Sequence, residues 1–253
     1  MKKIFKYACT IAVTALFTFQ SVFAASIKKE FEVETKDSQL IKATAYYPKT
    51  KQTTYPTVVL LHSIGYSSSQ WGDLPKKLIE SGYAVLAIDL RGHGKSVYDA
   101  KFRKKSWVYF KNETFIKYPD DVIAIIKEVK NATKKLSFND WAIIGGDIGA
   151  NTAVTVAKKS QVKPRALVLL SPSLSFKGVY IPVDMAELGS IPIYTVASEK
   201  DNYSISEQKK LTKFAQGEFA INNVPSGGMG MMLIKTNPEI TTSIIEWLDK
   251  KFK

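Results

Sequence analysis

Cysteine is nearly missing from this chain. Its 253 residues include one, Cys9, which lies in a leading segment set apart from the rest. Beyond that segment the chain can form neither a disulfide nor a thiol nucleophile, and an oxidising compartment would suit it. Histidine is almost as scarce: His62 and His93 are the only two, so general acid–base chemistry has few candidates. Arginine occurs at Arg91, Arg103 and Arg165, and the positive charge is otherwise lysine. That balance argues against dedicated bidentate recognition of phosphate. No repeat, low-complexity tract, internal linker or nucleic-acid reading motif is present, so nucleic acid is not an expected partner.

What is present is an ordinary globular composition carrying a large positive charge. Hydrophobic residues make up 45% and charged residues 23%, enough at this length for one α/β core and too little for two. Residues 1–25 differ from the rest. Lys2, Lys3 and Lys6 precede an apolar run over 8–19, and Val22-Phe23-Ala24 is a small-residue exit. That pattern reads as a secretory signal peptide cut after Ala24; an uncleaved anchor would need a longer apolar run. The expected organisation is a signal peptide over 1–24 and a single domain over 25–253, located in the periplasm. Removing the three leader lysines leaves +10 of the formal +13, and with it a diffuse attraction to anionic surfaces.

Along the chain, residues 27–35 and 40–47 alternate as an antiparallel strand pair about a turn at 36–38. Residues 57–61 are a continuous apolar run of the kind buried on both faces. A helix is predicted over 70–81, then a strand over 83–88 and a glycine-rich loop over 89–96. Residues 118–129 carry Val122, Ile125, Ile126 and Val129 on one helical stripe. Further strands are predicted at 165–170, 193–197 and 218–224, and helices at 150–159, 206–214 and 238–252. Strands alternating with helices imply a mostly parallel sheet with helices on both faces.

Residues 141–151 organise the rest. An apolar strand run turns sharply at small residues and enters a helix, the setting of a nucleophile elbow, G-x-S-x-G. Gly145 and Gly149 hold the two glycine positions, and Asp147 stands at the apex where serine is expected. Upstream, His62-Ser63-Ile64-Gly65 looks like an H-G-x-G oxyanion loop, and residues 89–96 like a D-x-R-G-H-G-x-S loop. Together these stretches resemble the α/β-hydrolase superfamily over essentially the whole chain after the leader. Ser171-Pro172-Ser173-Leu174 and Ala197-Ser198-Glu199-Lys200-Asp201 are similar to its periplasmic, dienelactone-hydrolase-like branch. The resemblance implies a minimal α/β-hydrolase fold without a lid domain. It also implies the chain order nucleophile, acid, histidine, which puts Asp147, Asp201 and Met229 at the three positions. The oxyanion hole would come from the backbone N–H of Ile148 with that of Ser63 or Ile64.

Such a triad is degenerate. A thioether cannot do general acid–base work, and an elbow group without its base is not activated. Losing a triad typically costs about 10⁶-fold in turnover. The resemblance therefore points to a pseudohydrolase with a binding or envelope-associated role. The alternative is an active hydrolase of esters, lactones or alkyl substrates with Asp147 as nucleophile, as in haloalkane dehalogenases and epoxide hydrolases. Those enzymes need a histidine to release product and carry a lid for which residues 171–191 are too short. Electrostatically, a carboxylate in the first turn of a helix meets unpaired N–H groups, so Asp147 is expected to fill the hole itself.

His62 and His93 are expected to bond backbone rather than titrate. Met229, Met231 and Met232 could offer thioethers to Cu(I) but are expected to pack as gap-fillers, so no metal and no cofactor is expected. Asp147 and Asp201, if they faced each other, would favour a cationic ligand. Residues 101–111 interleave charge with aromatics. They read either as a patch for anionic lipid or polysaccharide through Lys101, Arg103, Lys104 and Lys105, or as a solvated loop whose aromatics cover the core.

Overall fold

The computed structural model describes residues 26–252; the leader read as a signal peptide, Cys9 included, lies outside them. In chain order the strands are β1 (Ser26–Glu34), β2 (Leu40–Pro48), β3 (Tyr55–Leu61), β4 (Ala84–Asp89), β5 (Leu136–Gly146), β6 (Ala166–Leu170), β7 (Ser175–Phe176), β8 (Val179–Tyr180), β9 (Ile193–Ser198) and β10 (Phe219–Val224). The helices are α1 (Leu74–Glu80), α2 (Asn112–Phe115), α3 (Tyr118–Ala132), α4 (Ile148–Lys159), α5 (Pro182–Ala186), α6 (Asn202–Leu211), α7 (Met231–Thr236) and α8 (Glu239–Phe252).

Eight strands form one sheet in the order β1-β2-β4-β3-β5-β6-β9-β10, while β7 and β8 pair with each other. The β1–β2 pair is antiparallel with Ile27 opposite Tyr47, and β2 joins β4 antiparallel. Every other pair in the sheet is parallel. Parallel pairing needs crossovers, and helices supply them on both faces. The central strands are buried on both faces, so alternate residues feed two cores. In β3, Val59 and Leu61 pack with α3 and α4, while Val58 and Leu60 pack with α1 and α8. Each such aliphatic side chain contributes about 1.5–3 kcal/mol by leaving water.

Two helices depart from the pattern read in the sequence. The one expected over 70–81 is a 3₁₀ turn over Ser68–Gln70 followed by α1. Gly72 at φ +59° breaks it, and α1 restarts with Pro75 in its first turn, where the missing N–H costs nothing. The helix expected over 206–214 starts earlier, as α6, because Asp201 caps it. The β7–β8 hairpin, α2, α5 and α7 had no periodic signature long enough to read. After β6 the chain spends residues 171–192 on that hairpin and on α5, with no larger insertion. The carboxyl ends of β3, β4, β5, β6, β9 and β10 share one edge of the sheet, and the loops that leave them gather there.

Candidate active site

The turn from β5 into α4 depends on two close backbone approaches. A Cβ at Gly145 would lie 2.3 Å from the Gly149 carbonyl oxygen, and one at Gly149 would lie 2.1 Å from that of Leu61. Neither partner can yield, so both positions require glycine. Asp147, between them, is held at φ +35°, a conformation that costs a non-glycine residue about 1–3 kcal/mol. Its backbone N–H donates to the Leu170 carbonyl (2.9 Å), and its carbonyl accepts the Asn151 N–H (3.1 Å).

The carboxylate does not reach into open space. Its Oδ1 accepts the backbone N–H of Ile64 at 2.9 Å and that of Ile148, the first residue of α4. These two amides and the positive end of the helix meet on one oxygen. Asp147 is 6% exposed. Burial raises its carboxyl to about 6, against the opposing pull of the Ile64 and Ile148 amides and the Ser63 hydroxyl. Near pH 7 it is an anion capping its own helix.

The third amide of the group is also taken. The backbone N–H of Ser63 donates to the Met231 sulfur at 3.3 Å. In return, the Met231 N–H donates to the Ser63 hydroxyl (2.9 Å), and the Gly230 N–H to the Ser171 hydroxyl (3.1 Å). Residues 230–231 are thus stitched across the elbow. Gly230, at φ +55°, lies so close that a Cβ there would sit 2.2 Å from the Ser63 oxygen and 3.0 Å from Asp147 Oδ2. A cleft of about 480 Å³ beside the elbow is lined by Tyr66, Trp71, Met231 and Ile234, with Met231 as its wall; Asp147 does not line it.

Asp147, Ser63, Ile64 and Ile148 are therefore brought together. Asp201 is not joined to them by any hydrogen bond: its carboxylate caps α6, accepting from the Ser204 N–H at 3.2 Å and the Ser204 hydroxyl at 2.5 Å. Met229 is half-buried one residue before Gly230, and its carbonyl accepts the Met232 N–H. The hydrogen bonds from this loop onto the elbow region come from Gly230 and Met231 instead. Sequence reasoning named Met231 only as a gap-filler and did not place Ser171 or Gly230 at the site. The glycine doublet at 227–228 followed by Gly230 was the one available sign of a close approach.

Both imidazoles serve the scaffold. His62 Nδ1 bonds the Ser63 carbonyl (2.8 Å), and its Nε2 accepts the Leu90 N–H (2.9 Å). His93 Nδ1 bonds the Arg91 carbonyl (3.0 Å), and its Nε2 accepts the Gly65 N–H (3.1 Å). Each ring is thereby fixed as a neutral tautomer with no nitrogen left over. Burial lowers His62 to about 4; burial and then the neighbouring His62 lower His93 to about 3. Among the described residues no three His, Cys, Asp or Glu side chains gather as they would around a metal ion.

Comparison with known proteins agrees with this architecture. Residues 52–244 match the family described as serine aminopeptidase, S33. A Schizosaccharomyces pombe protein named as a probable lipase is 28% identical over 167 residues, covering 59% of this chain and 35% of that protein. The chain thus spans about a third of the length of the curated relative it matches. Among solved structures, a Bacillus coagulans carboxyl esterase superposes with a TM-score of 0.69 at 15% identity, over 89% of this chain and 99% of that one. A dienelactone hydrolase from Anabaena variabilis does so with a TM-score of 0.64 at 14% identity, over 89% and 97%. At those identities the likeness is one of fold.

Proposed function

The chain belongs to the serine aminopeptidase S33 family of α/β-hydrolases, and from that premise we propose that it is a catalytically silent member, exported to the periplasm and kept for binding rather than turnover. The observation that carries this reading is the occupancy of the anion-binding amides. Those of Ile64 and Ile148 both point at Asp147 Oδ1, and that of Ser63 at the Met231 sulfur. A developing oxyanion would have to displace a carboxylate that already neutralises the helix end, and like charges would oppose it. In this reading Asp147, Asp201 and Met229 are the remnants of the triad, and Ser63, Ile64 and Ile148 those of the oxyanion hole. Export rests on the leader's charge, apolar run and exit residues.

An aspartate nucleophile fits less well. Alkyl-enzyme chemistry needs a base to activate the water that releases product, and both imidazoles have each nitrogen bonded to backbone. The names of the relatives point to ester hydrolysis as the ancestral chemistry. The test uses short activated esters, a lactone and a haloalkane, with wild type compared against Asp147→Ala. The expected result is equal background rates for both and no gain in intact mass. Turnover that disappears in Asp147→Ala, or a covalent adduct on Asp147, would overturn the proposal.

A further inference from the structure

Ten large hydrophobic side chains stand exposed among the described residues, and five of them, Tyr98, Phe102, Val108, Tyr109 and Ile116, belong to the single excursion between β4 and α3. This excursion leaves the carboxyl end of β4, on the same edge of the sheet as the elbow.

Its first part is a tight hairpin. Tyr98 pairs with Lys104, and the Phe102 N–H donates to the Asp99 carbonyl. The buried Asp99 carboxylate accepts the N–H groups of Lys101 and Arg103 at 2.9 and 3.0 Å and the Arg103 side chain at 2.7 Å. Gln39 ties the hairpin to the start of β2 through the Tyr98 carbonyl. At the tip Phe102 stands at φ +56° and 81% exposed. A bulky residue is a genuine outlier in that conformation, and within the fold the exposed ring contributes no burial in return.

The second part is the 3₁₀ turn Trp107–Tyr109. Trp107 stacks on His93, and Phe110 meets Phe115 edge-on, so these two rings cover the interior. Val108 and Tyr109 face outward, Tyr109 at 86% exposure. Lys101, Arg103, Lys104, Lys105 and Lys111 flank these apolar residues in the chain, and Glu113 is the one exposed acid of the stretch. Lys101, Lys104 and Lys111 enter no ion pair among the described residues.

We propose that residues 98–116 form a membrane-docking face that seats the protein on an anionic lipid bilayer. The lysines lie at the headgroup phosphates, while Phe102, Val108 and Tyr109 enter the interface, the depth that aromatic side chains favour. A polyanionic polysaccharide would use the lysines and leave the apolar tips idle; a bilayer uses both. No described helix is long and apolar enough to cross a membrane, and the proposed contact is made by this loop face. This inference does not rest on catalytic silence, since an active hydrolase would present the same surface.

The test is co-sedimentation of residues 25–253, the form that cleavage after Ala24 leaves and one that holds every described element of the fold, with vesicles of phosphatidylcholine, with and without one-third phosphatidylglycerol. The leader's own lysines and apolar run are thereby kept out of the comparison. Wild type is expected to bind the anionic vesicles and to lose binding as salt is raised. Phe102→Ser with Tyr109→Ser, and separately Lys101→Glu with Lys104→Glu, are each expected to weaken partitioning at least tenfold with an unchanged melting temperature. Lys130→Glu with Lys134→Glu, the same charge change at the far end of α3, is expected to weaken it far less. Equal binding by the apolar double variant, an equal effect from the Lys130/Lys134 pair, or retention on dextran sulfate without vesicle binding would overturn the proposal.

Discussion

The elbow and the 98–116 excursion share one edge of the sheet and are built on opposite terms. At the elbow the polar groups satisfy one another: the Ile64 and Ile148 amides donate to Asp147, the Ser63 amide donates to the Met231 sulfur, and the Ser63 and Ser171 hydroxyls accept the Met231 and Gly230 amides of the loop that closes over them. In the excursion the backbone is tied by turn bonds, yet Phe102 and Tyr109 stand exposed and Lys101, Lys104 and Lys111 enter no ion pair among the described residues. A site that satisfies itself has no free energy left for a ligand, whereas a rigid surface with unspent apolar area and charge has most of its recognition still to make. The two regions should therefore separate cleanly in experiment. Changes at the elbow move stability, and changes at the excursion move association.

The largest effect is expected at Gly230. Gly230→Ala would put a methyl group against the Ser63 oxygen and Asp147 at a positive φ, costing roughly 2–4 kcal/mol by overpacking and strain. Tyr109→Ser, in contrast, should stay within about 0.5 kcal/mol. Chemical denaturation of the two variants checks the contrast. A Gly230→Ala protein as stable as wild type would mean that the loop does not rest on the elbow.

The next effect is a pH dependence. The Asp147 carboxyl, raised by burial from an ordinary 3.8 to about 6, binds its proton more tightly folded than unfolded. Its contribution is complete below about pH 4 and is lost as pH rises through 6. His62 and His93, lowered by burial, act in the opposite sense: their contribution is complete above about 6.5 and fades as the unfolded chain takes up protons below that. The histidine contributions are common to wild type and Asp147→Asn, so the difference between the two proteins isolates the carboxyl. Between pH 4 and 7 the stability of Asp147→Asn should rise relative to wild type by about 2–3 kcal/mol. Melting curves over that range read it, and a flat difference would mean the carboxylate is better solvated than its burial implies.

How much of this was legible in the sequence differs by region for a physical reason. The elbow announces itself because an apolar strand, two obligatory glycines and a helix are contiguous, and the capping role of Asp147 follows from its place at a helix start. The closure by Gly230 and Met231 does not, because it joins residues 168 positions apart in sequence through bonds that follow no period. Asp201 was readable as an acid after a late strand. Its side chain's commitment to Ser204 set the start of α6 and escaped the periodic pattern. In the excursion, composition alone left the direction of the aromatics open: Trp107 and Phe110 turn inward, Phe102 and Tyr109 outward. A 3₁₀ turn and a positive φ decide which ring goes where, and neither leaves a hydrophobic period behind.

The smallest change in stability is the sharpest test of the contrast. At φ +56° Phe102 pays for its backbone conformation, about 1–2 kcal/mol for an L-residue. Glycine would relieve that and return about 0.5–1 kcal/mol through the greater freedom of the unfolded chain. Phe102→Gly should therefore melt at or slightly above the wild-type temperature, while its partitioning onto anionic vesicles falls severalfold. A residue kept for packing would lose stability when removed; one kept for an external contact loses only the contact. If Phe102→Gly instead melts several degrees lower, the phenyl ring is holding the hairpin together, and its exposure says nothing about a membrane.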